Sequence, residues 1–192
     1  MMNQNLAALR KAATIFTAAL VLNVAAAGSA VAKQTADDRA RTLDNIVLAD
    51  GYSMKVSSGS KDTVYIFSDP ACGYCRRLEK NFIEKYAKDY TIYILPVTII
   101  RGSESMRAVS EMLCDAPENR LTMWKQFIQG TAQLRGNDCK AGRKAATHNN
   151  KMLNNMGFTS VPTIINSVGE NVPKNMLGDV SKIVRWLESF DE

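Results

Sequence analysis

Four cysteines are the residues of this chain best suited to covalent chemistry, and two of them stand two residues apart in Cys72-Gly73-Tyr74-Cys75. An apolar β-type run, Val64-Tyr65-Ile66-Phe67, comes just before them and an amphipathic run follows. That order sets Cys72 at the first turn of a helix leaving a buried strand. Unpaired backbone N–H groups and the helix dipole favour negative charge there. A thiol so placed gives up its proton readily, and the thiolate is the reactive species. Disulfide exchange needs one thiolate to attack a substrate sulfur and a second thiol to resolve the mixed disulfide. Cys72 fits the first role and Cys75 the second. An ordinary thiol, with a pKa of about 8.5, is only a few per cent ionised at neutral pH. Lowering it to roughly 6 makes it mostly thiolate, a shift of about 3 kcal/mol.

The same pair also reads as half of a zinc site. A zinc ribbon wants a second close pair, whereas Cys114 and Cys139 are far apart and His148 is the sole histidine. No metal is therefore expected.

The elements that must hold the pair are legible around it. Thr63 to Phe67 is a short, nearly continuous apolar strand, as expected for one buried on both faces. Cys75, Leu78, Phe82 and Tyr86 recur at spacings of three and four and share one helical face. Thr91 to Val97 is a second strand, rich in β-branched and aromatic residues. Strand, helix, strand is a βαβ unit, with a parallel right-handed crossover, in an α/β domain. A helical region follows. Met106, Val109, Met112 and Leu113 share a face, Pro117 opens a further helix with Leu121, Trp124, Phe127 and Ile128 as its stripe, and Gly130 stops it. A third helix runs over roughly 140–156 and closes at Gly157. Pro162 stands at the entrance of a strand through Ile165, 167–170 is a turn, and Asn171-Val172 begins a short antiparallel strand. Asp179 caps a last helix with Val180, Ile183, Val184 and Leu187 on one stripe. Residues 33–61 are polar apart from Leu43–Leu48 and supply either a first edge strand or a loose arm.

The first 32 residues have the anatomy of a secretory signal peptide: Arg10 and Lys11, an apolar stretch from Ala12 to Ala27, and Ala30-Val31-Ala32 before Lys33. Of the formal charge of +5, Arg10 and Lys11 contribute two, leaving +3 for the rest. Basic and acidic residues alternate, which argues against nucleic acid as a partner. All four cysteines follow the leader, and disulfides persist in an exported protein. The periplasm is the expected destination.

The pattern Phe67, Asp69, Cys72, Gly73, Tyr74, Cys75, Leu78 resembles the thioredoxin superfamily, specifically the catalytic domain of the periplasmic disulfide isomerases DsbC and DsbG. The likeness runs from about Asp62 to Phe190, through the second cysteine pair, the proline loop and the final helix. It implies a thioredoxin-like fold, a central mixed sheet flanked by helices with a helical insertion at about 104–157, in a catalytic domain spanning 62–192. It also implies a structural disulfide between Cys114 and Cys139, and a cis Pro162 that leaves the backbone of Val161 open beside Cys72. Gly73, Tyr74, Val161 and Pro162 would then bind substrate, in part through main-chain hydrogen bonds indifferent to sequence. The redox-active Cys72–Cys75 disulfide needs no cofactor.

The implied activity is thiol–disulfide isomerisation or reduction on exported proteins, with a membrane reductase of the DsbD type keeping Cys72 reduced. Two features depart from the isomerases. Residues 33–61 leave no room for their N-terminal dimerisation domain, so a monomer or weak dimer is expected. Val161 replaces their threonine, as in the oxidase DsbA, so a dithiol oxidase is the alternative. A non-catalytic chaperone or assembly factor of a secretion or conjugation system is a third reading. Nearby, Asp69 caps the helix or shapes the loop, Arg76 and Arg77 are solvated or assist the thiolate, His148 is packed or superficial, and Trp124 belongs to the core.

Overall fold

The computed structural model describes residues 34–190. The expected signal segment lies outside the described residues. Helix α1 (Ala36–Leu48) is opened by a capping box, in which Thr35 and Asp38 satisfy each other's backbone N–H groups. It is followed by β1 (Met54–Ser57), β2 (Thr63–Ser68), α2 (Gly73–Leu78), a π-helical turn (Glu79–Ile83), α3 (Glu84–Tyr86) and β3 (Thr91–Pro96). Three longer helices come next, α4 (Ser103–Cys114), α5 (Pro117–Gln129) and α6 (Lys140–Asn155), and then β4 (Thr163–Ile165), a 3-10 turn (Lys174–Met176) and α7 (Val180–Glu188).

The four strands form one mixed sheet in the order β1-β3-β2-β4. Strands β2 and β3 are parallel, in register from Thr63 opposite Thr91 to Ser68 opposite Pro96. Both outer strands run antiparallel to their neighbours, with Met54 opposite Ile94 and Tyr65 opposite Ile165. Asn171 adds only an isolated bridge to Ile165, so the expected short strand there is a single rung.

Because β2 is central, its alternate residues feed two cores. Val64 and Ile66 join Ile92, Ile94, Phe82, Trp124 and Leu187 on one face. Tyr65 and Phe67 join Leu43, Leu95, Leu153 and Met156 on the other. Helix α6 serves both, through Ala145 and Ala146 on one side and Met152 and Leu153 on the other. Its buried Asn149 donates through Nδ2 to the carbonyls of Tyr52 (2.8 Å) and Pro96 (2.9 Å), which pins it to the end of β3.

The segment read as an edge strand or loose arm supplies a strand and also a helix. Helix α1 buries Leu43 completely, and Arg39 donates through Nε to the carbonyl of Gly169 at 2.7 Å. Gly169 has φ +81°, and a Cβ there would stand 1.9 Å from the Ala36 carbonyl oxygen, so only glycine lets α1 approach this turn. The polar sequence concealed the helix because Leu43 and Arg39 are its only buried residues, with Ile46 and Val47 packed partly buried against the same core as Leu43.

Candidate active site

Strand β2 ends at Ser68, and three residues carry the chain to Cys72, the N-cap of α2. Asp69 shapes that loop. Its Oδ1 accepts from the Ala71 N–H and the Ser105 hydroxyl, each at 2.8 Å, and its Oδ2 accepts from the Ile100 N–H at 2.9 Å. Its carbonyl takes the Cys72 N–H at 2.9 Å. One buried carboxylate therefore ties the dithiol loop to the segment entering α4.

The Cys72 sulfur accepts the Cys75 N–H at 3.3 Å, in the place where a serine or aspartate oxygen would cap a helix. Its thiol donates to the carbonyl of Val161, 3.7 Å away, and the Val161–Pro162 bond is cis. The Cys72 thiol is lowered to about 6. Its hydrogen bond with the Cys75 thiol is the first cause, followed by the N–H groups of Cys75 and Tyr74, while burial and the Asp69 charge oppose them. Burial first, and then the same sulfur pair, push the Cys75 thiol far up. One sulfur is thus a ready thiolate and its neighbour holds its proton.

Cys72 is 4% exposed and Cys75 fully buried, both as free thiols. Tyr74 stands 69% exposed beside them, with the Arg77 guanidinium 4.3 Å from its ring centroid. Arg76 donates to the Pro70 carbonyl at 3.2 Å, so both guanidinium groups are engaged away from the sulfur. Gly73 is exposed and Pro162 buried. Val161 is brought to Cys72, whereas Cys114 and Cys139 form a disulfide of their own with Cα atoms 5.9 Å apart. That bond removes two of the thiols a four-cysteine zinc site would need. His148 is superficial, its ring 4.8 Å from that of Tyr52.

Sequence reasoning missed Glu79. It is buried, accepts the Trp124 indole N–H at 2.7 Å and the Ser68 hydroxyl at 2.8 Å, and its carboxyl is pushed up to about 7 by burial. The available signal was its position four residues after Cys75, on the same helical face as the core residues.

A dithiol at the head of a helix leaving a central strand, opposite a cis-proline loop, defines a thioredoxin-fold dithiol domain. The chain belongs to the thioredoxin-like domain family, whose model matches residues 53–184. No protein of curated function matches it in sequence. Its fold is similar to that of ScsC from Proteus mirabilis in a transitional conformation, at 15% identity over 82% of both chains with a TM-score of 0.57. It is also similar to the disulfide interchange protein from Neisseria gonorrhoeae, at 23% identity over 71% of this chain and 96% of that one, TM-score 0.55. A periplasmic thioredoxin-like protein from Salmonella enterica serovar Typhimurium matches at 17% identity over 77% of this chain and 97% of its own, TM-score 0.53.

Proposed function

We propose that this chain is an exported thiol–disulfide oxidoreductase that isomerises or reduces wrong disulfides in periplasmic proteins. The observation that carries this reading is the unequal pair: the Cys72 thiol lowered to about 6 and backed by Cys75, which burial holds protonated. In the first step the Cys72 thiolate attacks a substrate disulfide, joining one substrate sulfur and releasing the other as a thiolate. In the second, either a substrate thiol displaces Cys72, which completes isomerisation, or Cys75 does, which leaves the Cys72–Cys75 disulfide and a reduced substrate. The carbonyl of Val161 and the exposed ring of Tyr74 border the sulfur and serve as the substrate's docking edge. Repeated turnover of reduction needs an electron donor, and a membrane reductase of the DsbD type fits an exported dithiol.

Val161 favours a second reading, a DsbA-like oxidase in which the same steps run backwards from the Cys72–Cys75 disulfide. Two assays on the full chain separate them. Refolding of a scrambled multi-disulfide protein by the reduced enzyme, outpacing oxidation of a reduced one by the oxidised enzyme, supports isomerisation. Predominantly oxidised Cys72–Cys75 in vivo overturns it. Activity in neither assay leaves a binding role in front.

A further inference from the structure

The apolar stripe of α5 is not spent entirely on the core. Trp124 is buried, but Ile128 is only half-buried, and Leu121 is half-buried and belongs to neither core. Leu121, Trp124, Lys125 and Ile128 follow the spacing of one helical face and form one wall of an open groove of about 660 Å³. The facing wall is the dithiol helix and its π-helical continuation, from Arg76 to Glu84. Arg76 Nε donates to the carbonyl of Pro70 at 3.2 Å, two residues before Cys72, so the groove starts at the dithiol loop.

The rim of this groove is cationic. Arg76, Arg77 and Lys80 on one wall and Lys125 on the other are all exposed. Among the described residues none of the four pairs with a carboxylate. Glu84, at the end away from Cys72, is the one exposed carboxylate on the rim. Glu79 also lines the groove, but it is buried and its oxygens are taken by Ser68 and Trp124.

We propose that the groove docks an acidic amphipathic helix of a protein client, with apolar side chains on Leu121 and Ile128 and carboxylates against Arg76, Arg77, Lys80 and Lys125. Such a helix presents an apolar stripe between two polar flanks, and the cations stand on both walls, one set for each flank. A small amphipathic anion has a single head group and would leave most of them uncompensated. Glu84 gives the occupant a polarity: its acidic residues belong at the Cys72 end, because a carboxylate opposite Glu84 meets like charge. The proposal rests on the exchange reading only in making the client a substrate. Docked so, the client holds a disulfide near Cys72 while Val161 and Tyr74 border the sulfur on the other side. The groove therefore selects clients by a segment outside the reacting cysteines.

The test uses calorimetric titration of the full chain with a cysteine-free helical peptide that carries leucines at i, i+3, i+4 and i+7 and glutamates on both flanks. A counterpart with lysine for every glutamate is the control. The acidic peptide should bind at least about tenfold more tightly than the control, and its affinity should fall as salt rises. The double variant Lys80→Glu and Lys125→Glu changes two exposed side chains and should lose at least about tenfold in affinity for the acidic peptide. Its rate with a small aromatic disulfide should stay within about twofold of wild type, since neither lysine touches the dithiol. Leu121→Gln should weaken the acidic peptide about threefold or more through the apolar contact alone. When the acidic peptide carries a disulfide at its Arg77 end, the wild type should reduce it at least about tenfold faster than the small disulfide at equal low concentration, and the double variant should lose that advantage. Equal binding of the two peptides, or acidic-peptide binding that ignores both Leu121→Gln and the lysine reversals, overturns the proposal. So does binding of dodecanoate with neither peptide bound, which makes the groove a lipid site. A wild type that binds the acidic peptide as expected but reduces neither disulfide upholds the docking groove and overturns the exchange reading.

Discussion

Two cysteines of this chain occupy the same position in a helix and have opposite fates. Cys72 and Cys139 are the N-caps of α2 and α6, and each sulfur accepts the N–H three residues on at 3.3 Å. Their local backbone physics is shared, since both face a helix's unpaired amides. What differs is the nearest sulfur. Cys72 has Cys75 one turn along its own helix and Val161 in front of it, and it stays unbonded with its pKa lowered to about 6. Cys139 has Cys114 from the end of α4 against it and is bonded to it, closing a 25-residue separation. An N-cap lowers the cost of a thiolate in both places, and the two sites differ in where the partner sulfur comes from: the same helix for Cys72, another helix for Cys139.

The largest effect should come from the open pair. Cys72→Ser is expected to reduce exchange to background, and Cys75→Ser to accumulate a mixed disulfide with substrate, both visible on a non-reducing gel. The next sharpens the electrostatic half of the comparison. Alkylation of Cys72 should rise about tenfold per pH unit up to about 6 and then level off. The folded thiol loses its proton near 6 and the unfolded one near 9, so the unfolded state binds more protons between them. Cys72 accordingly adds stability to the reduced chain as pH rises through that window, and the contribution is lost as pH falls.

The closed pair should answer in stability instead. Replacing both Cys114 and Cys139 by alanine should cost about 3.5 kcal/mol in the chain-entropy model, read by denaturant unfolding, with the Cys72 titration unmoved. Gly142, three residues after Cys139, would place a Cβ 2.2 Å from the Ser110 carbonyl oxygen and 2.6 Å from the Cys114 sulfur. Gly142→Ala should therefore destabilise by about 1–3 kcal/mol. Gly73, the residue after Cys72, has nothing within 4 Å of such a Cβ, and Gly73→Ala should cost no stability and raise it by at most about 1 kcal/mol. A large loss from Gly73→Ala, or none from Gly142→Ala, would break the contrast.

Much of this was readable before any coordinates. The apolar run of β2, the three-and-four spacing from Cys75 to Tyr86 and the β-branched β3 carried the central βαβ unit. Pro117 and Gly130 bracket α5 as their backbone preferences dictate. Helix α1 was hidden because Arg39 spends its charge on the Gly169 carbonyl, the Glu170 carboxylate and the Phe158 ring, and a buried arginine looks like a surface one in sequence. Glu79 was hidden for a related reason. A charged residue on an apolar stripe reads as an interruption until its partners, Ser68 and Trp124, arrive from β2 and from α5. The source of the lowered Cys72 pKa was only half legible: the helix amides were foreseeable, whereas the leading role of the second thiol depends on its rotamer.

The knot at Asp69 has a practical meaning for protein engineering. Its carboxylate gathers Ala71, Ile100 and Ser105, while Cys72 rests against Val161. A transplant of the four-residue motif alone onto another scaffold would carry the sulfurs and leave behind what orients them. The transferable unit is discontinuous, made of 67–79, 100–105 and 161–162, and a recipient fold must already bring three chain segments together before it can host this dithiol.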